Sequence, residues 1–133
     1  MESFTHLKAW QRGMELVKEV YAITKKFPSS EKFALTSQLR RAATSVLANT
    51  AEGFSRRTPP DKANKYTIAR GECSEASTFL LISVELGYLS ITEAKRAIDL
   101  AEETGKILSG LIQTYNKKLP TIPTPTPYPL PHS

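Results

Sequence analysis

The sequence predicts an all-α chain, an antiparallel up-down-up-down four-helix bundle. Three observations point there. Residues 5–27, 30–54, 61–87 and 91–118 are proline-free segments of 23 to 28 residues. Within each, apolar residues recur every three or four positions, the period of a helix face, whereas a strand would alternate by two. The breaks between segments are only a few residues long, which makes successive helices antiparallel neighbours.

In the first segment the stripe runs Leu7, Trp10, Met14, Val17, Tyr21 and Thr24, widened by Val20 and Phe27, and Pro28 ends it. In the second it runs Leu35, Leu39, Ala42, Val46 and Asn49, flanked by Ala43 and Leu47. Thr58-Pro59-Pro60-Asp61 opens the third with a hydroxyl cap, proline at the first helical position and an early acid. Its stripe is Tyr66, Ala69, Cys73, Ala76, Leu80 and Ser83, and Gly87 offers a left-handed C-terminal cap. Ser90-Ile91-Thr92-Glu93 is a capping box for the fourth, whose stripe is Ala94, Ala97, Ala101, Leu108, Leu111 and Tyr115, with Ile98 and Ile112 beside it.

The bundle is expected to span residues 1–119. Six of the nine prolines crowd between Pro120 and Pro131. Proline at that density removes backbone donors and fixes φ, so residues 120–133 are expected to form an extended, disordered tail, uncommitted or a ligand for an aromatic-lined groove. A single Cys excludes an internal disulfide. The most apolar stretch, Phe79 to Leu89, is 11 residues interrupted by Ser83, Glu85 and Gly87. A membrane span needs about 20 apolar residues, so no membrane partner is expected. With no basic-then-apolar leader at the start, the reading is cytoplasmic.

The third helix carries more apolar surface than a lone bundle can bury. Phe79, Leu80, Leu81, Ile82 and Val84 cover nearly its whole circumference near one end, and a helix apolar all round is normally buried all round. Phe79, Leu81 and Ile82 are therefore the expected interface of a homo-oligomer. Gly13, Gly71, Gly105 and Gly110 lie inside helical patterns, where each costs about 1 kcal/mol relative to Ala. Close approach of another backbone would offset that cost.

Several runs are distinctive together: Leu7-Lys8-Ala9-Trp10-Gln11, Phe33 through Val46, Asn49-Thr50-Ala51-Glu52-Gly53 with Arg56, and Ile68-Ala69-Arg70-Gly71 followed by Glu75. Over roughly residues 4–115 the chain resembles the four-helix-bundle family named for proteins encoded by intervening sequences in large-subunit ribosomal RNA genes. That family commonly has Ile where this chain has Thr50, and often Ser where it has Glu72. The resemblance implies a cytosolic bundle that assembles into a homopentameric ring, with no established enzymatic activity. A related branch resembles the accessory variability determinant of diversity-generating retroelements. It implies as partners a reverse transcriptase and nucleic acid, RNA or DNA, met by a basic surface.

Charge is distributed unevenly. The whole chain carries +5, but Lys25 to Arg70 holds ten basic residues against three acids, and Gly71 to Asn116 three against seven. Such polarity suits a polyanion on one surface. Arg56, Arg57, Lys62 and Lys65 flank the exposed turn between the second and third helices and are the leading phosphate contacts; Arg40 and Arg70 complete the candidate nucleic-acid-binding set. Arg41, Ser45, Ala48 and Glu52 share one face beside the core stripe. Arg41, Asn49, Glu52 and Glu75 are therefore expected to form a structural polar network, with Arg40 pointing away from it toward an outside partner.

No catalytic constellation is legible, and the reading is of a non-enzyme without cofactor or metal. A di-iron bundle site needs inward Glu residues and Glu-x-x-His pairs, yet the only histidines are His6 and His132, near opposite chain ends. Cys73 falls on a core stripe, where a thiol acts as a small hydrophobe. Glycines are scattered singly, so no phosphate loop is present. A scaffold ring that docks proteins through the acidic fourth helix or the tail is the competing role.

Overall fold

The computed structural model describes residues 3–117, and the expectations for the Pro-rich tail lie outside those residues. Four helices follow one another: α1 (Lys8–Thr24), α2 (Leu35–Ser55), α3 (Pro59–Glu85) and α4 (Ile91–Asn116). Short 3-10 turns, Phe4–His6 and Ser29–Glu31, precede α1 and α2. Consecutive helices pack on one another, and α4 closes back on α1; the α2–α3 and α3–α4 interfaces are the more extensive. No strand occurs among the described residues, and no helix there is long and apolar enough to cross a membrane.

The helix ends follow local chemistry. Thr58 Oγ1 accepts from Asp61 N at 3.3 Å, and proline occupies the first helical position of α3, where its missing donor costs nothing. Gly87 takes φ +80° beyond the end of α3. Its N–H donates to Val84 O, and Tyr88 N donates to Ser83 O at 2.9 Å, the paired bonds of a Schellman motif. The capping box forms in full: Glu93 N donates to Ser90 Oγ at 3.0 Å, and Ser90 N to Glu93 Oε1 at 2.9 Å. Such a cap contributes about 1 kcal/mol.

The Ser90 backbone N–H, reinforced by the Lys26 ammonium at 2.9 Å, holds the Glu93 carboxyl down at about 2. Because the folded value lies below the ordinary 4.5, this stability is present above that pH and is lost as pH falls toward 2. Glu93→Gln keeps an acceptor for the box but loses the charge. Acid unfolding followed by circular dichroism should therefore show a shallower stability loss between pH 4.5 and 2 for Glu93→Gln than for the parent; parallel curves would refute the assignment.

Burial matches the expected stripe best on α3, where Tyr66, Ala69, Cys73, Ala76, Leu80 and Ser83 are all buried, joined by Ala63. On α4, Ala94, Ala97, Ala101, Leu108 and Ile112 are buried with Leu100 and Thr104, while Leu111 and Tyr115 are only half-buried. The α1 stripe differs from expectation by one position. Ala9, Gly13, Leu16 and Ile23 face the core together with the expected Val20, Thr24 and Phe27, whereas Trp10, Met14, Val17 and Tyr21 flank it. One residue is about 100° of helix. The large side chains misled because small residues occupy the tightest contact. A Cβ on Gly13 would lie 2.9 Å from Leu47 Cδ2, so α2 accounts for this glycine without a second copy. Trp10 packs sideways on Phe4, with ring centroids 5.6 Å apart.

The start of α2 also departs from expectation. The helix begins at Leu35 rather than near residue 30, leaving Phe33 in the connection and 88% exposed. Leu35 and Asn49 sit at the margin of the core, where Thr36, Thr50 and Gly53 are buried instead. Thr50, where the resembled family commonly has Ile, satisfies its buried hydroxyl by donating to Val46 O at 2.7 Å.

Candidate nucleic-acid interface

Up-down connectivity places the α1–α2 and α3–α4 connections at one end of the bundle and the α2–α3 turn at the other. The basic residues that are neighbours in sequence therefore divide between two ends. At the α2–α3 end, most of the expected phosphate contacts are already engaged. Lys62 Nζ donates to Phe54 O at 2.7 Å and to Gly53 O at 3.3 Å, satisfying terminal carbonyls of α2. Lys65 pairs with Glu52 at 2.8 Å, its side chain only 22% exposed, and Arg56 approaches the same carboxylate at 3.7 Å. These contacts, the Lys65 hydrogen bond first, hold the Glu52 carboxyl below its ordinary range. Arg57 has no hydrogen bond or ion pair among the described residues. Arg70 lies away from this end and donates to Ser109 Oγ on α4 at 3.2 Å.

Of the residues expected to form one polar network, only Arg41 and Glu75 meet. Arg41 bridges α2 to α3, bonding Glu75 and reaching both oxygens of Glu72 at 3.3 and 3.4 Å, while its Nε donates to Gln38. Glu72, where the resembled family often has Ser, is thus part of this bridge. Glu52 belongs to the Lys65–Arg56 group instead, and Asn49 donates to Ser45 O within its own helix at 2.9 Å. Exposed ion pairs of this kind contribute about 0–1 kcal/mol.

Arg40 does not simply point outward. Its Nε donates to Thr24 Oγ1 at 2.9 Å, and its guanidinium carbon stands 4.4 Å from the centroid of the Tyr21 ring. Thr24 can accept this bond because its own hydroxyl donates to Val20 O at 2.7 Å. Only one of the guanidinium's five N–H donors is thereby used. Arg40 forms one wall of an open recess of about 500 Å³ whose lining includes Tyr21, Lys32, Phe33, Thr36 and Ser37. A smaller hollow of about 220 Å³ adjoins it, sharing Lys32, Thr36 and Arg40 and adding Lys25. No Asp or Glu among the described residues lines either one. The nearby Glu31 is engaged, accepting from Tyr88 O–H at 2.8 Å and Leu35 N at 3.2 Å. That contact, with the Phe27 and Tyr88 rings 5.6 Å apart, ties the connection to the α3–α4 turn. Sequence reasoning missed the recess because Lys32, Phe33 and Thr36 become neighbours of Tyr21 and Arg40 only when α1 folds back along α2.

The family model of the 23S rRNA-intervening sequence protein matches residues 5–110. The chain belongs to that family. Among solved structures, this member of the 23S rRNA-intervening sequence protein family is similar to a protein of unknown function from the S23 ribosomal protein family of Bacteroides thetaiotaomicron. The TM-score is 0.73 at 23% identity, over 79% of this chain and 95% of that one, a likeness of fold. No curated protein matches this family member in sequence.

The remaining sites in this member of the family are less suited to chemistry. Burial pushes the Cys73 thiol up to about 12, which keeps it protonated at neutral pH. No group of three or more His, Cys, Asp or Glu among the described residues could hold a metal ion. The expected interface residues separate. Leu81 and Ile82 are 51% and 40% exposed, but Phe79 is half-buried against the core. A monomer thus hides much of Phe79 and leaves Leu81 and Ile82 about half uncovered.

Proposed function

We propose that the protein is a non-catalytic, oligomeric accessory protein that associates with nucleic acid through its basic surfaces. The observation that carries this reading is the recess with its adjoining hollow at the α1–α2 end, lined by Lys32 and Arg40, with Lys25 in the hollow, and by no carboxylate. Cations not committed to ion pairs are the ones that can release counterions from a polyanion. Self-association has independent support in exposed Leu81, Ile82 and Ile68, and in open space beside Gly71 and Gly110. Repetition of the recess around an assembly would multiply the charge offered to one strand. A reverse transcriptase partner has the sequence resemblance as its support.

Titration of the full chain with labelled nucleic acid at several salt concentrations tests the reading. Affinity should fall steeply with salt, and Lys25→Glu with Lys32→Glu should weaken it. Arg56→Glu with Arg57→Glu should do less, because Arg56 already shares Glu52 with Lys65. Affinity no tighter than micromolar at low salt, indifferent to the first pair of changes, would favour the scaffold role instead.

A further inference from the structure

We infer that the recess between the end of α1 and the start of α2 is a binding site for single-stranded nucleic acid, seating one phosphate inside and one unpaired base on Phe33. The inference rests on the nucleic-acid reading and narrows it to a class of strand and a set of atoms.

The phosphate half follows from donors that the fold leaves unused. The residue before α2, Ala34, supplies no side-chain cap. Leu35 N is satisfied by Glu31 and Gln38 N by Ala34 O, but Thr36 N and Ser37 N have no partner among the described residues. A second observation is independent of the helix end. Thr36 is only 8% exposed, yet its hydroxyl has no hydrogen-bond partner among the described residues. Buried threonines elsewhere in the chain donate to the carbonyl four residues back, as Thr24, Thr50 and Thr104 do. Thr36 stands at the second position of α2, where no helical carbonyl lies behind it. Among the described residues no unpartnered side-chain oxygen is sealed from solvent, so this hydroxyl keeps contact with solvent, and Thr36 lines the recess. Lys32 and Arg40 line the same recess, and Thr24 and Tyr21 hold the Arg40 guanidinium in place while its terminal nitrogens stay unused. Two backbone N–H groups, a hydroxyl that can donate and two cationic side chains border one recess whose lining holds no carboxylate, the makings of an anion site.

The base half follows from Phe33. An aromatic ring 88% exposed buries almost nothing in the monomer. It borders the same recess, and Lys32 Nζ lies 5.4 Å from its centroid. Bases stack on such rings whatever their identity, since every base has a π-face. In a duplex those faces are already stacked on neighbouring pairs, so only an unpaired nucleotide can place its phosphate in the recess and its base on the ring. The class is therefore single-stranded, RNA or DNA, with little sequence preference.

The test is fluorescence anisotropy with the full chain and three labelled probes: oligouridylate, oligothymidylate and a duplex of equal charge. Both single strands should bind more tightly than the duplex. Phe33→Ala should lower single-strand affinity roughly tenfold to a hundredfold and leave duplex affinity unchanged. Thr36→Val should also weaken single-strand binding, with circular dichroism unchanged, and Lys32→Gln should reduce the salt slope by about one. Equal binding of duplex and single strand, unmoved by Phe33→Ala, would overturn the inference while leaving the broader reading intact. A single-strand preference that survives both Phe33→Ala and Thr36→Val would overturn it too, by placing the site elsewhere. No binding of any probe at low salt would overturn both and would fit a protein partner on Phe33.

Discussion

Tyr66→Ala should lower the free energy of unfolding by about 3–5 kcal/mol, the usual cost of truncating a buried aromatic ring. Tyr66 is 1% exposed and joins three helices, packing from α3 against Gly53 of α2 and against Tyr115 of α4, whose ring centroid is 5.9 Å away. The same contact makes Gly53 obligatory. A Cβ there would come within 2.6 and 2.8 Å of Tyr66 ring carbons, and a ring enclosed on all sides has nowhere to move. Gly53→Ala in the parent should therefore cost about 1–3 kcal/mol by overpacking. In the Tyr66→Ala background the obstacle is gone, and Ala gains about 1 kcal/mol over Gly in helix propensity. The effect of Gly53→Ala should thus change sign between backgrounds. Urea unfolding of the four proteins gives the cycle directly, and an additive result would refute the contact.

Leu81→Lys combined with Ile82→Lys should convert the proposed assembly into folded 14.8 kDa particles. Both side chains are already about half exposed in the monomer, so replacing them removes little core packing. At the centre of an interface, however, each new ammonium would lose its hydration without a partner, an expensive burial. Leu80, between α3's Phe79 and Leu81, is the internal control, being fully buried. Leu80→Ala should cost about 2–5 kcal/mol in stability and leave the assembled mass alone. Light scattering separates the two effects. A parent protein that is monomeric in dilute solution, or a Lys variant with unchanged mass, would remove self-association from the proposed function.

The α3 stripe was fully legible because its large and small residues share one unbroken period, and the caps at Thr58, Gly87 and Ser90 were legible because each lies within a few residues of what it satisfies. The α1 stripe was not. Trp10 and Tyr21 attract a periodic reading by their size, whereas the bundle placed Ala9 and Gly13 inward to let α2 come close. The candidate site was legible only as a charge excess. Its most basic-looking cluster, Arg56 to Lys65, is largely spent on Glu52 and on the carbonyls of α2. The recess at the opposite end draws on Tyr21, Thr24 and Arg40, residues that no local pattern connects.

From the sequence by itself came the helical class, the number of helices, three of their caps and the bundle family, because propensity, period and capping act between residues at most a turn or so apart. Which cations remain free, which glycines are indispensable and where an anion could be held were decided by the tertiary structure. Arg12 meets Glu103 across 91 residues of chain, and Arg41 meets Glu72 across 31. Charge adds along a sequence whatever the fold, but neutralising it takes contact at a few ångströms, and only packing chooses which pairs come that close.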